Sequence, residues 1–125
     1  MADELILIVE DNEKNLKLTR DVLQFNGFRT LEARTAEDGL ALAKDRQPDL
    51  ILMDIQLPGM NGVTALERLR VDPVTAPIPV VALTAFAMKD DHQRFLEAGF
   101  DACVMKPISI KELPVQVRAC LSGAS

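Results

Sequence analysis

The sequence lacks several features that would assign it to a specialised class of protein. Its longest apolar runs are about five residues, far short of the roughly 20 that a membrane-spanning helix needs. Its two cysteines, Cys103 and Cys120, fit neither a metal-binding spacing nor a disulfide framework. With 14 basic against 19 acidic residues, the net charge of −5 disfavours a nucleic-acid-binding surface. These absences predict a reduced, cytoplasmic protein with no membrane insertion and no direct contact with nucleic acid.

Repeats, linkers and low-complexity segments are also missing from the sequence. The first residues are acidic and lead directly into an apolar run, which is unlike a secretory signal. Hydrophobic residues make up 48% of the chain and charged residues 26%, a balance typical of a folded globular protein. We therefore expect one domain over residues 1–125, with no separate output domain.

Apolar runs alternate with segments of helical periodicity along the whole chain. Continuous apolar runs indicate strands that are buried on both faces, as in a parallel sheet covered by helices. The pattern predicts strands at 5–9, 28–32, 49–53, 78–83 and 101–105, and helices at 13–26, 36–46, 62–70, 89–98 and 110–121. Such βα repeats predict an α/β fold of the flavodoxin-like (βα)5 type, a doubly wound sandwich around a five-stranded parallel sheet.

The polar residues that follow these strands carry the chemistry of the sequence. Glu10 and Asp11 come after the first strand, Asp54 after the third, Thr84 after the fourth and Lys106 after the fifth. The carboxyl ends of parallel strands meet at one edge of the sheet, where ligands bind beside the reversal of strand order. A strand order of 2-1-3-4-5 brings all five residues together there.

Three carboxylates in a small volume repel each other, and a hard cation such as Mg²⁺ relieves that repulsion. Asp54 is then a candidate nucleophile toward phosphorus, with Lys106 neutralising phosphoryl oxygens and the Thr84 hydroxyl donating a hydrogen bond. Phosphoryl transfer depends mainly on positioning and charge neutralisation, so this small set of groups is sufficient.

Four motifs in this order resemble the receiver domains of bacterial two-component response regulators, across essentially the whole chain. They are Val9-Glu10-Asp11-Asn12, the segment from Leu52 to Gly62 around Met53-Asp54, Leu83-Thr84-Ala85, and Lys106-Pro107. Within that family, the segments around Asp54 and Thr84 look most like those of DivK-type single-domain regulators.

The resemblance implies a role for each residue of the site. Asp54 would accept the phosphoryl group, Thr84 would be the switch hydroxyl and Lys106 the phosphate-pairing lysine. Mg²⁺ would be held by Glu10, Asp11, Asp54 and the backbone carbonyl of Gln56. The family also implies a cis peptide bond before Pro107, and no enzymatic activity beyond self-phosphorylation and self-dephosphorylation.

The resemblance also implies partners for the chain. The phosphoryl group would come from a phosphohistidine on a sensor histidine kinase or a histidine phosphotransfer protein. Residues 84–121, here called the output surface, would then bind a downstream target protein, with the chain itself a monomer or weak dimer. We expect Met88 and Phe95 to be exposed apolar residues of this surface.

Two positions of this sequence bear on signalling in particular. Receivers usually have Tyr or Phe three residues before the strand-five lysine, whereas this chain has Cys103. A small thiol cannot report the state of Thr84 by swinging a ring inward, so the coupling is expected to be altered. Phe86, two residues after Thr84, is expected to shield the phosphoryl group from water and to slow its loss.

Local signals give further expectations for chain ends and capping. Thr35 is placed to cap the second helix and Gly27 to end the first, while Glu10 or Asp11 is a candidate cap of the first helix. Ser109 to Glu112 matches a capping box, but Pro114 predicts a loose or bent start of the last helix.

His92, the only histidine, lies among charged residues, which predicts a solvated side chain rather than a phosphohistidine or a metal ligand. Asn61-Gly62 and Gly59 are interpreted as turn residues.

Other functional classes share parts of this pattern. A small Mg²⁺-dependent phosphohydrolase also uses an aspartyl nucleophile, but it typically has a second acid two residues later, where this chain has Gln56. A flavodoxin-like FMN binder would need a Ser-, Thr- and Gly-rich phosphate loop, whereas Glu10-Asp11 repels phosphate. A receiver that is only a phosphate sink, and one that works as an unphosphorylated adaptor, are further alternatives.

Overall fold

The computed structural model describes residues 4–85 and 89–122, and it has alternating strands and helices throughout. The strands are β1 (Leu5–Val9), β2 (Arg29–Ala33), β3 (Leu50–Asp54), β4 (Val80–Thr84) and β5 (Ala102–Met105). The helices are α1 (Glu13–Phe25), α2 (Ala36–Arg46), α3 (Gly62–Val71), α4 (Lys89–Ala98) and α5 (Glu112–Leu121). All neighbouring strands are parallel and lie in the order β2-β1-β3-β4-β5, so the predicted α/β fold and strand order are confirmed.

Two apolar layers, one on each face of the sheet, explain the continuous apolar strands. Successive strand residues point to opposite faces, and in β1 Leu7 and Val9 join the layer that contains α2 and α3 residues. Ile6 and Ile8 join the opposite layer with residues of α1 and α5. Both faces of β1, β3 and β4 are therefore buried, and polar side chains are confined to the strand ends.

β1 has the predicted bounds, and the ends of the other strands lie within two residues of the predicted ones. Asp54 and Thr84 were expected just past their strands, yet each is the last strand residue. The ladder continues because backbone bonds persist at both positions: Ile55 N–H donates to Leu83 O at 3.0 Å, and Lys106 N–H donates to Thr84 O at 2.8 Å. The site residues are consequently held by the sheet rather than by loops.

Helix ends follow the expected capping chemistry with one exception. The Thr35 side chain accepts a hydrogen bond from Asp38 N–H at 3.1 Å, and Gly27 follows α1 with φ of 90°. The cap of α1 is neither Glu10 nor Asp11 but Asn12, whose side chain accepts from Asn15 N–H at 3.1 Å. Asp11 is left without a capping role.

The last helix starts at Glu112, two residues later than predicted. Ser109 Oγ accepts a hydrogen bond from Glu112 N–H at 3.2 Å, which is the first half of the expected capping box. Pro114 has no N–H to donate to the carbonyl of Ile110, so residues 110 and 111 form a turn ahead of the helix.

Two expectations for residues of α4 are corrected by the structure, and two others concern residues outside the described ranges. Phe95 was expected to be exposed, but it is only 8% exposed because it packs edge-to-face against Phe100. His92 is half-buried rather than fully solvated. Phe86 and Met88 lie outside the described residues, so the expectations for them stay predictions.

The peptide bond between Lys106 and Pro107 is cis, as the resemblance implied. Within residues 4–85 and 89–122, none of the helices has the length and apolar character to cross a membrane.

Candidate functional site

Four buried or half-buried polar side chains meet at the carboxyl edge of the sheet. Glu10 directly follows β1, Asp54 ends β3, Thr84 ends β4 and Lys106 directly follows β5. Glu10, Asp54 and Thr84 are each at most 2% exposed, although charged and hydroxyl-bearing residues rarely occur so deep without partners. Their partners therefore define what the site can do.

Asp54 is held by two hydrogen bonds, one to each carboxylate oxygen. Its Oδ1 accepts from Gln56 N–H at 2.9 Å, and its Oδ2 accepts from the Lys106 ammonium group at 2.8 Å. The lysine comes from a strand that is separated from β3 by β4, so its long side chain reaches across the end of β4. The sheet order thus places a cation against the buried carboxylate.

Glu10 shares the same lysine. Lys106 Nζ lies 2.8 Å from Glu10 Oε1, and Glu10 Oε2 accepts a hydrogen bond from Asn12 N–H at 3.2 Å. The contact at Oε1 is an ion pair without hydrogen-bond geometry. Among residues 4–85 and 89–122, Oε1 of Glu10 is buried and receives no hydrogen bond. This oxygen is available to a further ligand.

The charges at the site shift two pKa values. Burial, together with the nearby Asp54 carboxyl, raises the pKa of Glu10 to about 7, although Lys106 has a lowering effect. Burial lowers the pKa of Lys106, but its hydrogen bond with Asp54 and its contact with Glu10 outweigh that effect, so the pKa lies above its usual value. Lys106 remains charged at neutral pH, whereas ionised Glu10 is unfavourable without a further cation.

A divalent cation fits this arrangement of oxygen atoms. One carboxylate oxygen each from Glu10, Asp11 and Asp54 lies within 4.8 Å of the other two, and Asp11 is exposed at the mouth of the site. Mg²⁺ prefers carboxylate and carbonyl oxygens and retains several waters, which an open side of the site allows. The buried Oε1 of Glu10, which contacts Lys106 but receives no hydrogen bond from the described residues, is consistent with a cation ligand.

The sequence motifs, the fold and this geometry agree with one protein family. A model of the response regulator receiver domain matches residues 6–118 of the chain. The chain belongs to the response regulator receiver domain family. It is therefore a domain of two-component signal transduction.

Relatives of this receiver domain are found by sequence and by structure. The polar-differentiation response regulator DivK of Brucella ovis is 43% identical over 119 residues, covering 95% of this chain and 97% of that protein. A response regulator from Chloroflexus aurantiacus superposes with a TM-score of 0.91 at 29% identity, covering 96% of this chain and 98% of the other. The receiver domain of a sensor histidine kinase from Pseudomonas aeruginosa has a TM-score of 0.88 at 30% identity, covering 97% and 99%. That last structure has a magnesium ion coordinated in its active-site cleft.

The remaining predicted residues are Thr84, Gln56 and Cys103. Thr84 is buried at the end of β4, between the strands that carry Asp54 and Lys106. Gln56 is exposed, and its N–H orients Asp54, whereas the role of its carbonyl as a metal ligand stays a prediction. Cys103 is half-buried, with Sγ 3.9 Å from the His92 carbonyl of α4.

Asn12 has a part in the site that was not predicted from the sequence. Its N–H donates to Glu10 while its side chain begins α1, so one residue fixes both the helix start and a carboxylate. An Asn directly before an amphipathic segment is a capping signal that points to this position. Glu10 or Asp11 was instead predicted to be the cap of α1.

Proposed function

We propose that this receiver domain accepts a phosphoryl group on Asp54 in a Mg²⁺-dependent reaction and thereby changes which protein it binds. The donor is a phosphohistidine of a sensor histidine kinase or histidine phosphotransfer protein. A carboxylate oxygen of Asp54 forms the new P–O bond while the P–N bond to the donor imidazole breaks. The product is an acyl phosphate on Asp54.

The observation that carries this proposal is the ammonium group of Lys106 in contact with both Asp54 and Glu10, 2.8 Å from an oxygen of each. A carboxylate in this position is fixed in orientation and lies next to a cation that suits phosphoryl oxygens. The site has no second acid two residues after Asp54, since Gln56 occupies that position. This favours a stable phosphoacceptor over a phosphohydrolase.

The other residues of the site bind the metal ion or contact the phosphoryl group. Glu10, Asp11 and Asp54 would hold Mg²⁺ together with the Gln56 carbonyl, and the ion would neutralise charge on the transferred group. Lys106 pairs with phosphoryl oxygens, and the Thr84 hydroxyl donates to another. Attraction of Thr84 and Lys106 toward the phosphoryl group then shifts the output surface between two arrangements.

The output is a protein contact through residues 84–121. Exposed apolar side chains occur within the described part of this range, where a partner can cover them: Leu96, Met105, Ile110 and Val115. We infer a DivK-like role in which the target is a separate protein. The support is that the match covers 95% of this chain and 97% of the DivK regulator. A cytoplasmic location remains a prediction from composition.

Phosphorylation by acetyl phosphate with Mg²⁺ tests the proposed acceptor. Asp54→Asn is expected to remain folded and to abolish incorporation of acid-labile phosphate, because the nucleophilic oxygen is lost. Asp45→Asn, an exposed aspartate of α2, is the matched control and should be phosphorylated like the wild type. Incorporation retained in Asp54→Asn would contradict the assignment. Repeated turnover of phosphomonoesters by the wild type would instead indicate a phosphohydrolase.

Cys103 favours a second candidate, a phosphate sink without conformational output. Its small side chain contacts the α4 backbone where receivers usually carry a ring, so the usual path from Thr84 to the surface is altered. Amide NMR spectra with Mg²⁺ and a phosphoryl mimic separate the two functions. Shifts that spread to α4 and α5 support the switch, whereas shifts confined to residues near Asp54 support the sink.

A further inference from the structure

Gly62, the first residue of α3, lies unusually close to the backbone of Asp54. A Cβ atom added to Gly62 would lie 2.5 Å from the carbonyl oxygen of Asp54 and 3.0 Å from Cα of Ile55. Both neighbours are backbone atoms inside or directly after β3, and neither can move aside as the end of a flexible side chain can. Any larger residue at position 62 must therefore displace either α3 or the backbone of Asp54 and Ile55.

The conformation of Gly62 does not by itself require glycine. Among the described residues, the glycines with positive φ are Gly27, Gly59 and Gly99, and Gly62 is not one of them. Gly62 is not a turn residue but the first residue of α3, as the predicted helix over 62–70 has it, and Asn61 caps that helix by accepting from Thr64 N–H at 2.9 Å. The close backbone atoms of Asp54 and Ile55, rather than a positive φ, restrict this position to glycine.

The segment that Gly62 contacts is fixed on its other side by the sheet. Ile55 N–H donates to Leu83 O of β4 at 3.0 Å, and Gly62 N–H donates to Ile55 O at 3.1 Å. Ile55 is thus held between β4, through its N–H, and the start of α3, through its carbonyl. The next N–H along the chain, that of Gln56, donates to Asp54 Oδ1. A shift of this segment changes the geometry between that N–H and the carboxylate.

We propose that Gly62 is a positioning residue for Asp54. The missing side chain lets α3 pack directly on the peptide after Asp54, and this packing sets the direction of the carboxylate toward Gln56 N–H and Lys106. The inference rests on the proposed function, because the quantity it governs is the reactivity of Asp54.

The test compares Gly62→Ala with two control glycine substitutions. Gly59→Ala introduces backbone strain in the same loop but its new Cβ meets no atom of the described residues within 4 Å, and Gly99→Ala introduces strain at the opposite edge of the sheet. Initial rates of phosphorylation by acetyl phosphate at saturating Mg²⁺ are measured below the unfolding temperature of every variant. We expect Gly62→Ala to react roughly 10- to 100-fold more slowly than wild type, and both controls to stay close to the wild-type rate.

An NMR measurement separates positioning from general destabilisation. The Gln56 amide resonance reports its hydrogen bond to Asp54, so it should move in Gly62→Ala before any phosphate is added and stay in place in Gly59→Ala and Gly99→Ala. A Gly62→Ala protein that reacts at the wild-type rate with an unmoved Gln56 amide overturns the inference. An equal loss of rate in Gly99→Ala also overturns it, because stability alone would then explain the effect.

The outcomes also distinguish this inference from the proposed function. If wild type is not phosphorylated on Asp54, the proposed function fails, and the Gln56 amide then decides positioning alone. If Gly62→Ala does not fold, wild type is titrated with Mg²⁺ and beryllofluoride instead. The Gly62 and Ile55 amides should then shift together, and an unmoved Gly62 amide overturns the inference.

Discussion

Lys106 supplies the positive charge that dominates the electrostatics of the site. Its ammonium group forms ion pairs with both Asp54 and Glu10, which are almost completely buried. A buried carboxylate is stable in its ionised form only when it is paired with a cation, so Lys106 stabilises the ionised carboxylates of this site. The same positive charge opposes a second cation among these carboxylates.

Removal of that charge is expected to tighten Mg²⁺ binding. In Lys106→Met, the dissociation constant for Mg²⁺ should fall about tenfold, because a cation no longer competes for Asp54 and Glu10. Isothermal titration calorimetry measures this without a fluorophore, which suits a chain with no Trp or Tyr. Arg34→Met is the control, since Arg34 pairs with exposed Glu13 and should leave the affinity nearly unchanged. Equal or weaker binding by Lys106→Met would refute the competition.

Glu10 gives the site a pH dependence in the presence of EDTA. Its pKa is raised from 4.5 to about 7 in the folded protein, so folding binds a proton between these values. The stability that this group contributes is complete below pH 4.5 and is lost as the pH rises through 7. Glu10→Gln should therefore be more stable than wild type at pH 8, by on the order of 2 kcal/mol, with little difference at pH 5.

Urea denaturation at both pH values checks this prediction. Glu13→Gln, at an exposed position on α1, is the control and should show no comparable change between pH 5 and pH 8. A gain in Glu10→Gln that is the same at both pH values would mean that ionisation of Glu10 is not its cause.

At the scale of elements, the periodicity of the sequence predicted all the strands and helices of the described residues, with bounds within two residues. Two of the differences have causes that the pattern does not contain. β4 ends one residue later because the Thr84 carbonyl accepts from Lys106 N–H, 22 positions along the chain, and α5 starts two residues later because Pro114 has no N–H to donate. Phe95 was misjudged because its ring partner, Phe100, lies beyond the end of α4, where helical periodicity no longer applies.

Arg70, at the end of α3, ties together the segments that lead into β4 and β5. Its guanidinium donates to the carbonyls of Ala76 and Ile78 and, on the other side, to the Gly99 carbonyl and the Asp101 carboxylate. The same carboxylate accepts from Val80 N–H at 2.8 Å, at the start of β4. One half-buried cation therefore fixes the entry of two adjacent strands.

Arg70→Ala is expected to lower the free energy of unfolding by about 2–3 kcal/mol, because several carbonyl groups lose a charged donor together. Arg68→Ala, two residues earlier and exposed, serves as the control and should change stability by less than about 0.5 kcal/mol. Chemical denaturation of both variants provides the comparison. Equal losses would show that the four hydrogen bonds of Arg70 contribute little.

At the scale of the whole molecule, strand order was predictable because the chemistry demanded it. Glu10, Asp54 and Lys106 meet only if β1 and β3 are neighbours and β5 is separated from β3 by a single strand, which is the observed order. The close packing of Gly62 on Asp54 could not be predicted, since an Asn-Gly pair signals a turn equally well. Distances between backbones arise from the packing of whole elements and leave no periodic trace in a sequence.

Metal binding should be visible as stability of the whole domain. A ligand that binds only the folded state adds about 2.7 kcal/mol at 100 times its dissociation constant, which corresponds to roughly 10 °C in the unfolding temperature. Asp11→Asn should lose most of this gain and keep its fold, since Asp11 is exposed at the site. Glu13→Gln should retain the gain. Calorimetry with Mg²⁺ and with EDTA checks both, and an undiminished gain in Asp11→Asn would exclude it as a ligand.

The reach of Lys106 across β4 has a consequence for the order in which the chain acquires competence. The hydrogen bond to Asp54 joins residues 52 positions apart, and the lysine follows directly after the last strand of the sheet. A chain that has been synthesised only as far as β4 contains Asp54 but not the cation that orients it. Under the proposed function, transfer of phosphate to Asp54 therefore requires that β5 and Lys106 are already in place, and a copy folded only through β4 is expected to react poorly.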